Sequence, residues 1–214
     1  MSVTLQLIRG AYLWQSGFAV DADGSPHAYA MPGSGLYGLD HIDNAGKPGN
    51  RWGVVTNAGG CPVVQGDSDP APGYCVSTTA LCDPRFADRD PRRYVDSETV
   101  PYASVPRDLT GQRGVRMGDV AIAIYRGVAV GAIVADVSPA GHYGEGSIAL
   151  ASALGLPADP RSGGVAMGVT WLVFPASHAT PAWPRAVSDL QAQAVSMFAT
   201  WGGIAAVPWL APSV

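Results

Sequence analysis

Lysine is almost absent from this chain, Lys47 being the only one, and arginine supplies every other positive side-chain charge. Thirteen basic residues stand against seventeen acidic ones with no basic stripe, so nucleic acid is excluded as a partner. Charged residues make up only 14 %, while glycine and proline are frequent, which argues against a disordered or coiled-coil chain. No unbroken apolar run is long enough to cross a membrane. Cysteine is scarce as well. Cys61, Cys75 and Cys82 cannot all pair within one chain: Cys75 and Cys82 are spaced to bridge across a hairpin, Cys61 is open to either, and buried free thiols are the expectation. Their spacing is not that of a metal site, and no cofactor motif is present.

What remains describes a loop-rich, mostly β chain of a length that fits one domain over residues 1–214. Strands are predicted at Val3–Ile8, Phe18–Val20, Trp52–Thr56, Pro62–Gln65, Gly73–Leu81, Asp119–Tyr125, Val128–Ala135 and Val169–Phe174, with extended chain over Tyr94–Pro106. Arg126-Gly127 fits a hairpin turn. Asp83–Arg93 is the most charged window and reads as a surface loop with ion pairs. Ala186–Trp201 carries apolar residues at Val187, Leu190, Ala194, Val195, Phe198 and Trp201, the pattern of a packing helix.

The chemistry concentrates between Val128 and Pro175. An apolar strand runs into Asp136, a Ser-Pro-Ala-Gly turn follows, and Gly144-Glu145-Gly146 opens a segment with helical spacing at Ile148, Leu150, Ala151 and Leu154. One carboxylate at a strand end and another at a helix start, joined by a compact loop, suit acid/base cleavage of a glycosidic bond. His142 and Tyr143 lie in the same loop as candidate substrate contacts. Ser147 is not in a nucleophile elbow, and no Ser/His/Asp triad is supported.

Other acids form a second tier. Asp21-Ala22-Asp23-Gly24 reads as an Asx turn and keeps Asp21 and Asp23 as substrate-site candidates. The rest of a calcium loop is missing, so no metal is expected. Asp40 and Asp43, in the irregular stretch Met31–Asn50, are candidate glycan contacts. Asp96 and Glu98 are one strand period apart, so both project to one side of a strand as candidate acids. Trp52 and Trp171 are candidates for stacking on sugar rings, against the alternative that both are core residues.

The segment DVSPAGHYGEGSIALA followed by VTWLVFP resembles the fungal-type chitosanases of glycoside hydrolase family 75. DADGSPHAY (Asp21–Tyr29), GYCVSTTAL (Gly73–Leu81) and YVDSETVPY (Tyr94–Tyr102) are similar to segments of bacterial members, in order, over about residues 18–175. The resemblance implies a small six-stranded, double-psi-like β-barrel and ranks Glu98, in SETVP, as a third acid; the short helix at the active loop and the packing helix near residues 185–203 are read from spacing, and the latter lies outside the resemblance. The resemblance also implies that Asp136 and Glu145 are the essential pair of an inverting, endo-acting hydrolase of chitosan or a related amino-sugar polysaccharide. Which is acid and which is base stays open: a helix start would favour Glu145 as the anion and base, whereas its partner's charge or an apolar wall would raise its pKa.

The opening MSVTLQLIRGAYLW lacks the features of a signal peptide, unlike the secreted fungal enzymes. A removed leader, another export route, or a place in a phage or contractile injection system are the alternatives. Two further readings stand beside the chitosanase, the first of them motivated by the missing signal. One is a peptidoglycan hydrolase acting as an effector, with an immunity or delivery partner, and the other is a non-catalytic glycan-binding module.

Overall fold

A computed structural model describes residues 3–210. The strands are β1 (Gln6–Ile8), β2 (Ala11–Asp21), β3 (Gly46–Lys47), β4 (Asn50–Arg51), β5 (Tyr102–Pro106), β6 (Val120–Tyr125), β7 (Val128–Ser138), β8 (Glu145–Ser147) and β9 (Val165–Phe174). Three α-helices accompany them: α1 (Arg107–Gln112), α2 (Ile148–Ala153) and α3 (Val187–Trp201).

Six strands close into a barrel in the order β2-β8-β5-β7-β6-β9, with β9 pairing back onto β2, and β1 is an extra strand on β2. Closure leaves no open edge among the six. Two pairs are parallel, β2 with β8 and β5 with β7, and the remaining pairs are antiparallel. The β6–β7 hairpin turns at Arg126 and Gly127, both at positive φ (48° and 82°), which matches the twist of the flanking strands.

Alternation along the strands sorts side chains into an interior and an outer face. Trp14, Phe18, Val20, Ala103, Val105, Ala121, Ala123, Ala132, Val134, Val169, Trp171 and Val173 fill the interior in one cluster. Its centre is aromatic, with Trp14 and Trp171 stacked at 6.2 Å and Phe18 against Trp171 at 5.2 Å. Trp171 is therefore core and unavailable to a sugar. At β8 the inward residue is Gly146, where an added Cβ would lie 2.9 Å from Phe18 Cζ and 3.0 Å from the Tyr102 carbonyl oxygen. Only glycine lets this short strand lie so close to its neighbours.

α3 covers one outer flank, burying Leu190, Ala194 and Trp201. Val195, expected on that stripe, is exposed, because the buried face is narrower than the apolar pattern suggested. The helix ends at Gly202 in the left-handed conformation (φ 118°).

Between β2 and β5 the chain makes an excursion, residues 22–101, over the outer face beside α3, with Leu81, Val95 and Val100 packed in one cluster with Tyr102, Ile133, Ala135 and Leu190. The strands predicted at Trp52–Thr56, Pro62–Gln65 and Gly73–Leu81 appear there only as isolated bridges, such as Val54 with Ser77 and Val64 with Cys75. Each segment meets a partner for one residue and then turns away, so no ladder propagates. Ala22, Ala28, Tyr29, Ala45, Val54 and Cys75 give the excursion its own small core. All three cysteines are free, but Cys61 is exposed and only Cys75 is buried. The charged loop carries the ion pairs Arg85–Asp83, Arg92–Asp90 and Arg93–Asp88.

Candidate active site

Strand register builds the site. Glu145 is the partner of Ala19 across β2–β8 and of Ser104 across β5–β8, and Ser104 is the partner of Asp136 across β5–β7. Ala19, Glu145, Ser104 and Asp136 thus form one row over four adjacent strands. Ala103 and Val105 point inward, so Ser104 points outward, and the row lies on the barrel's outer face. A bulge completes it: Ala103 pairs with Val134 but Ser104 with Asp136, leaving Ala135 as the extra residue. The extra residue turns Asp136 onto the face that strict alternation would deny it.

Two expectations about the pair change here. Asp136 lies within β7, which continues to Ser138, and does not end its strand. Glu145 is not at a helix start but in β8, and α2 begins three residues later, capped by Ser147 Oγ accepting the Leu150 amide. The Gly-Glu-Gly segment is short enough to be drawn between β2 and β5, which overrides its helical spacing.

The excursion supplies the facing wall of a cleft of about 360 Å³. Asp21, Asp23, Asp40, Asp136 and Glu145 all line it, together with Tyr29, Asn44, Trp52, Ser104, His142 and Arg161. Asp21 and Asp23 sit in the expected Asx turn, where the Asp23 amide donates to Asp21 Oδ1 at 2.8 Å and Gly24 takes φ 81°. Asp23 Oδ1 accepts the Tyr29 hydroxyl at 2.6 Å, and Tyr102 donates to the Asp23 carbonyl at 2.9 Å. Asp40 is held by both oxygens on the Asn44 amide at 2.9 Å.

Burial, and next the charge of a neighbouring acid, pushes three of these carboxyls up to about 7: Asp21 beside Glu145, Asp136 beside Asp21, and Glu145 beside Asp136. Burial and the Asp21 charge hold Asp23 well above the usual carboxylate range. Among the described residues none of the four is in a salt bridge. Arg161 reaches the cleft, but its guanidinium is taken by the carbonyls of Gly38 and Leu39 and by the Tyr37 hydroxyl. Asp136 also accepts backbone amides, from Ala80 at 3.0 Å and from Val137. Glu145 has only the Ser104 hydroxyl as a hydrogen-bonding counterweight.

Three candidates lie elsewhere. Asp43 is exposed and pairs with Lys47 at 3.7 Å, away from the cleft lining. Glu98 accepts the Ser25 hydroxyl at 2.6 Å and meets His27 Nδ1 at 2.9 Å, tying the excursion together outside the cleft. Asp96 and Glu98 are not on a strand but in a turn, where the Glu98 amide donates to Asp96 Oδ1. Tyr143 turns from the cleft to donate to Asp108 at 3.0 Å, its ring edge-on to Trp14 at 5.5 Å. Trp52, by contrast, is 65 % exposed on the cleft. The roles of Ser104 and Arg161 had no local signal in the sequence, because the first depends on cross-strand register and the second on contacts with the distant Gly38 and Leu39.

Among the described residues no group of three or more His, Cys, Asp or Glu side chains is arranged to hold a metal ion. No protein-family model matches this chain, and no curated protein matches it.

Proposed function

We propose that this protein is an inverting, endo-acting glycoside hydrolase of β-1,4-linked amino-sugar glycans, chitosanase-like in substrate. The observation that carries the reading is the row in which Ser104 separates Asp136 from Glu145. Two strand spacings put their Cα atoms about 9.5 Å apart on one face. Two carboxylates on side chains so rooted, both lining one cleft, suit an acid and a base with room for a water between them, the arrangement an inverting hydrolase needs. The same two residues are those that the family 75 resemblance singles out.

The surroundings favour a division of labour. Asp136, with amides of Ala80 and Val137 pointed at it, is the better anion and takes the general-base role. Glu145, buried and facing the Asp136 charge, holds its proton and takes the general-acid role. A water gives its proton to Asp136 as its oxygen bonds to the anomeric carbon. The glycosidic C–O bond breaks, and the leaving oxygen takes the Glu145 proton. An acid-rich cleft with its one arginine occupied suits a sugar bearing an amine.

Release of reducing ends from chitosan tests the reading, with the first-formed anomer followed by proton NMR. Inversion yields the α-anomer first. Asp136→Asn and Glu145→Gln each lower kcat by roughly 10²–10⁴-fold. Parallel assay on purified peptidoglycan sets the substrate class, and turnover there alone would replace chitosan by cell-wall glycan. Saturable binding with no bond cleavage on either polymer would overturn the enzyme.

A further inference from the structure

A third acid is tied by register to both members of the pair. Asp21 closes β2 as the partner of Ser147, two residues beyond Ala19, the partner of Glu145. Asp21 and Glu145 therefore share the outer face, one strand over and two residues along, roughly 8 Å between Cα atoms. Asp21 is only 8 % exposed and lines the same cleft.

The groups that face it are almost all acidic. Glu145 approaches from β8, Asp136 from β7, Asp40 from the loop preceding β3, and Asp23 from its own turn, with the Tyr102 hydroxyl from β5. Arg161 is the cation lining the cleft, and its donors are bound to loop carbonyls and to Tyr37. The hydrogen bond to Asp21 comes from the uncharged Asp23 amide at 2.8 Å, and the nearby Tyr102 hydroxyl, donating to the Asp23 carbonyl, is uncharged too.

We propose that Asp21 is a positioning residue for the hydrolysis: its uncompensated carboxylate holds the working proton on Glu145 and sets the pH window in which Asp136 and Glu145 occupy opposite protonation states. The inference rests on the proposed function and adds to it a third acid. It follows from Coulomb's law in a buried site, where each ionisation makes the next harder. Burial and the Glu145 charge act on Asp21, and the Asp21 charge acts on Asp136; since the repulsion between two acids is mutual, the Asp21 charge acts on Glu145 as well. Removing the Asp21 charge must make both neighbours more acidic.

The test is the pH profile of kcat/KM on soluble glucosamine oligomers for the wild type, Asp21→Asn and Asp21→Glu. Asparagine keeps the acceptor for the Asp23 amide and removes only the charge. Both limbs are expected to move to lower pH by on the order of one unit in Asp21→Asn, and Asp21→Glu to restore them. A uniform loss of rate with both limbs fixed would overturn the proposal. Carboxyl carbon NMR titration of Asp136 and Glu145 gives a readout independent of turnover, and unchanged midpoints in Asp21→Asn overturn the proposal equally. If the wild type cleaves no amino-sugar polymer, the functional reading fails alone, and the NMR titration still decides Asp21.

Discussion

Asp136 and Glu145 are each the register partner of Ser104, one from the parallel side of β5 and one from the antiparallel side. Their separation is thus fixed by backbone hydrogen bonding and not by loop conformation. A site built on strand spacing is rigid before substrate arrives, which favours chemistry that needs a set gap.

The Ser104 hydroxyl acts on Glu145 in the direction opposite to burial. Ser104→Ala should therefore make Glu145 a weaker acid and move the alkaline limb of the rate profile to higher pH. A neutral hydrogen bond of about 1 kcal/mol sets the expected displacement at under one pH unit. Displacement to lower pH would contradict the arrangement.

Stability should fall as pH rises through neutrality. Asp21 and Asp136 go from 3.8 to about 7 on folding, so the folded state binds protons the unfolded state releases. Their contribution is complete below about pH 4 and is lost as pH rises through about 7. Calorimetry between pH 5 and pH 8 should show a declining Tm, and Asp21→Asn or Asp136→Asn should flatten the decline. A chain of this size gains about 2–4 °C for each kcal/mol recovered.

Trp52 offers its ring to the cleft without contributing to the barrel core. Trp52→Ala should raise KM roughly 2–10-fold, as expected for one lost stacking contact, with kcat and Tm nearly unchanged. Steady-state kinetics and a melting curve check both halves.

Gly146→Ala would press a methyl group against Phe18, the Tyr102 carbonyl and Leu150. The short β8 must shift to accommodate it, carrying Glu145 with it. A destabilisation of about 1–3 kcal/mol is expected, and kcat should fall as Glu145 is displaced with the strand. Tm and activity measured on the same preparation would separate the two effects.

The barrel was legible in the sequence where strands are long and apolar. Val128–Ala135 and Val169–Phe174 lie within β7 and β9, and Asp119–Tyr125 overlaps β6, because each carries enough β-branched and apolar residues to specify itself. Phe18–Val20 was only the end of β2, whose polar Gln15 and Ser16 hide its continuity. Glu145 illustrates the opposite limit: three residues with helical spacing downstream became a strand through pairing on both sides. Asp96 and Glu98 failed as a strand pair because they lie in a turn before β5. The gathering of Asp21, Asp40, Asp136 and Glu145 over more than a hundred residues needed the closed sheet and could not be read from spacing.

The excursion rests on the barrel through Leu81, Val95 and Val100 against Tyr102, Ile133 and Ala135, and its own segments meet one another only in single bridges, while the Asp136–Ser104–Glu145 row belongs to continuous sheet. On the proposed function, the acid pair stands on the sheet and the wall that would grip the polymer stands on the excursion. On that reading, exchanging exposed cleft residues such as Trp52 would change which polymer is gripped and leave the strand spacing beneath the acid pair as it is.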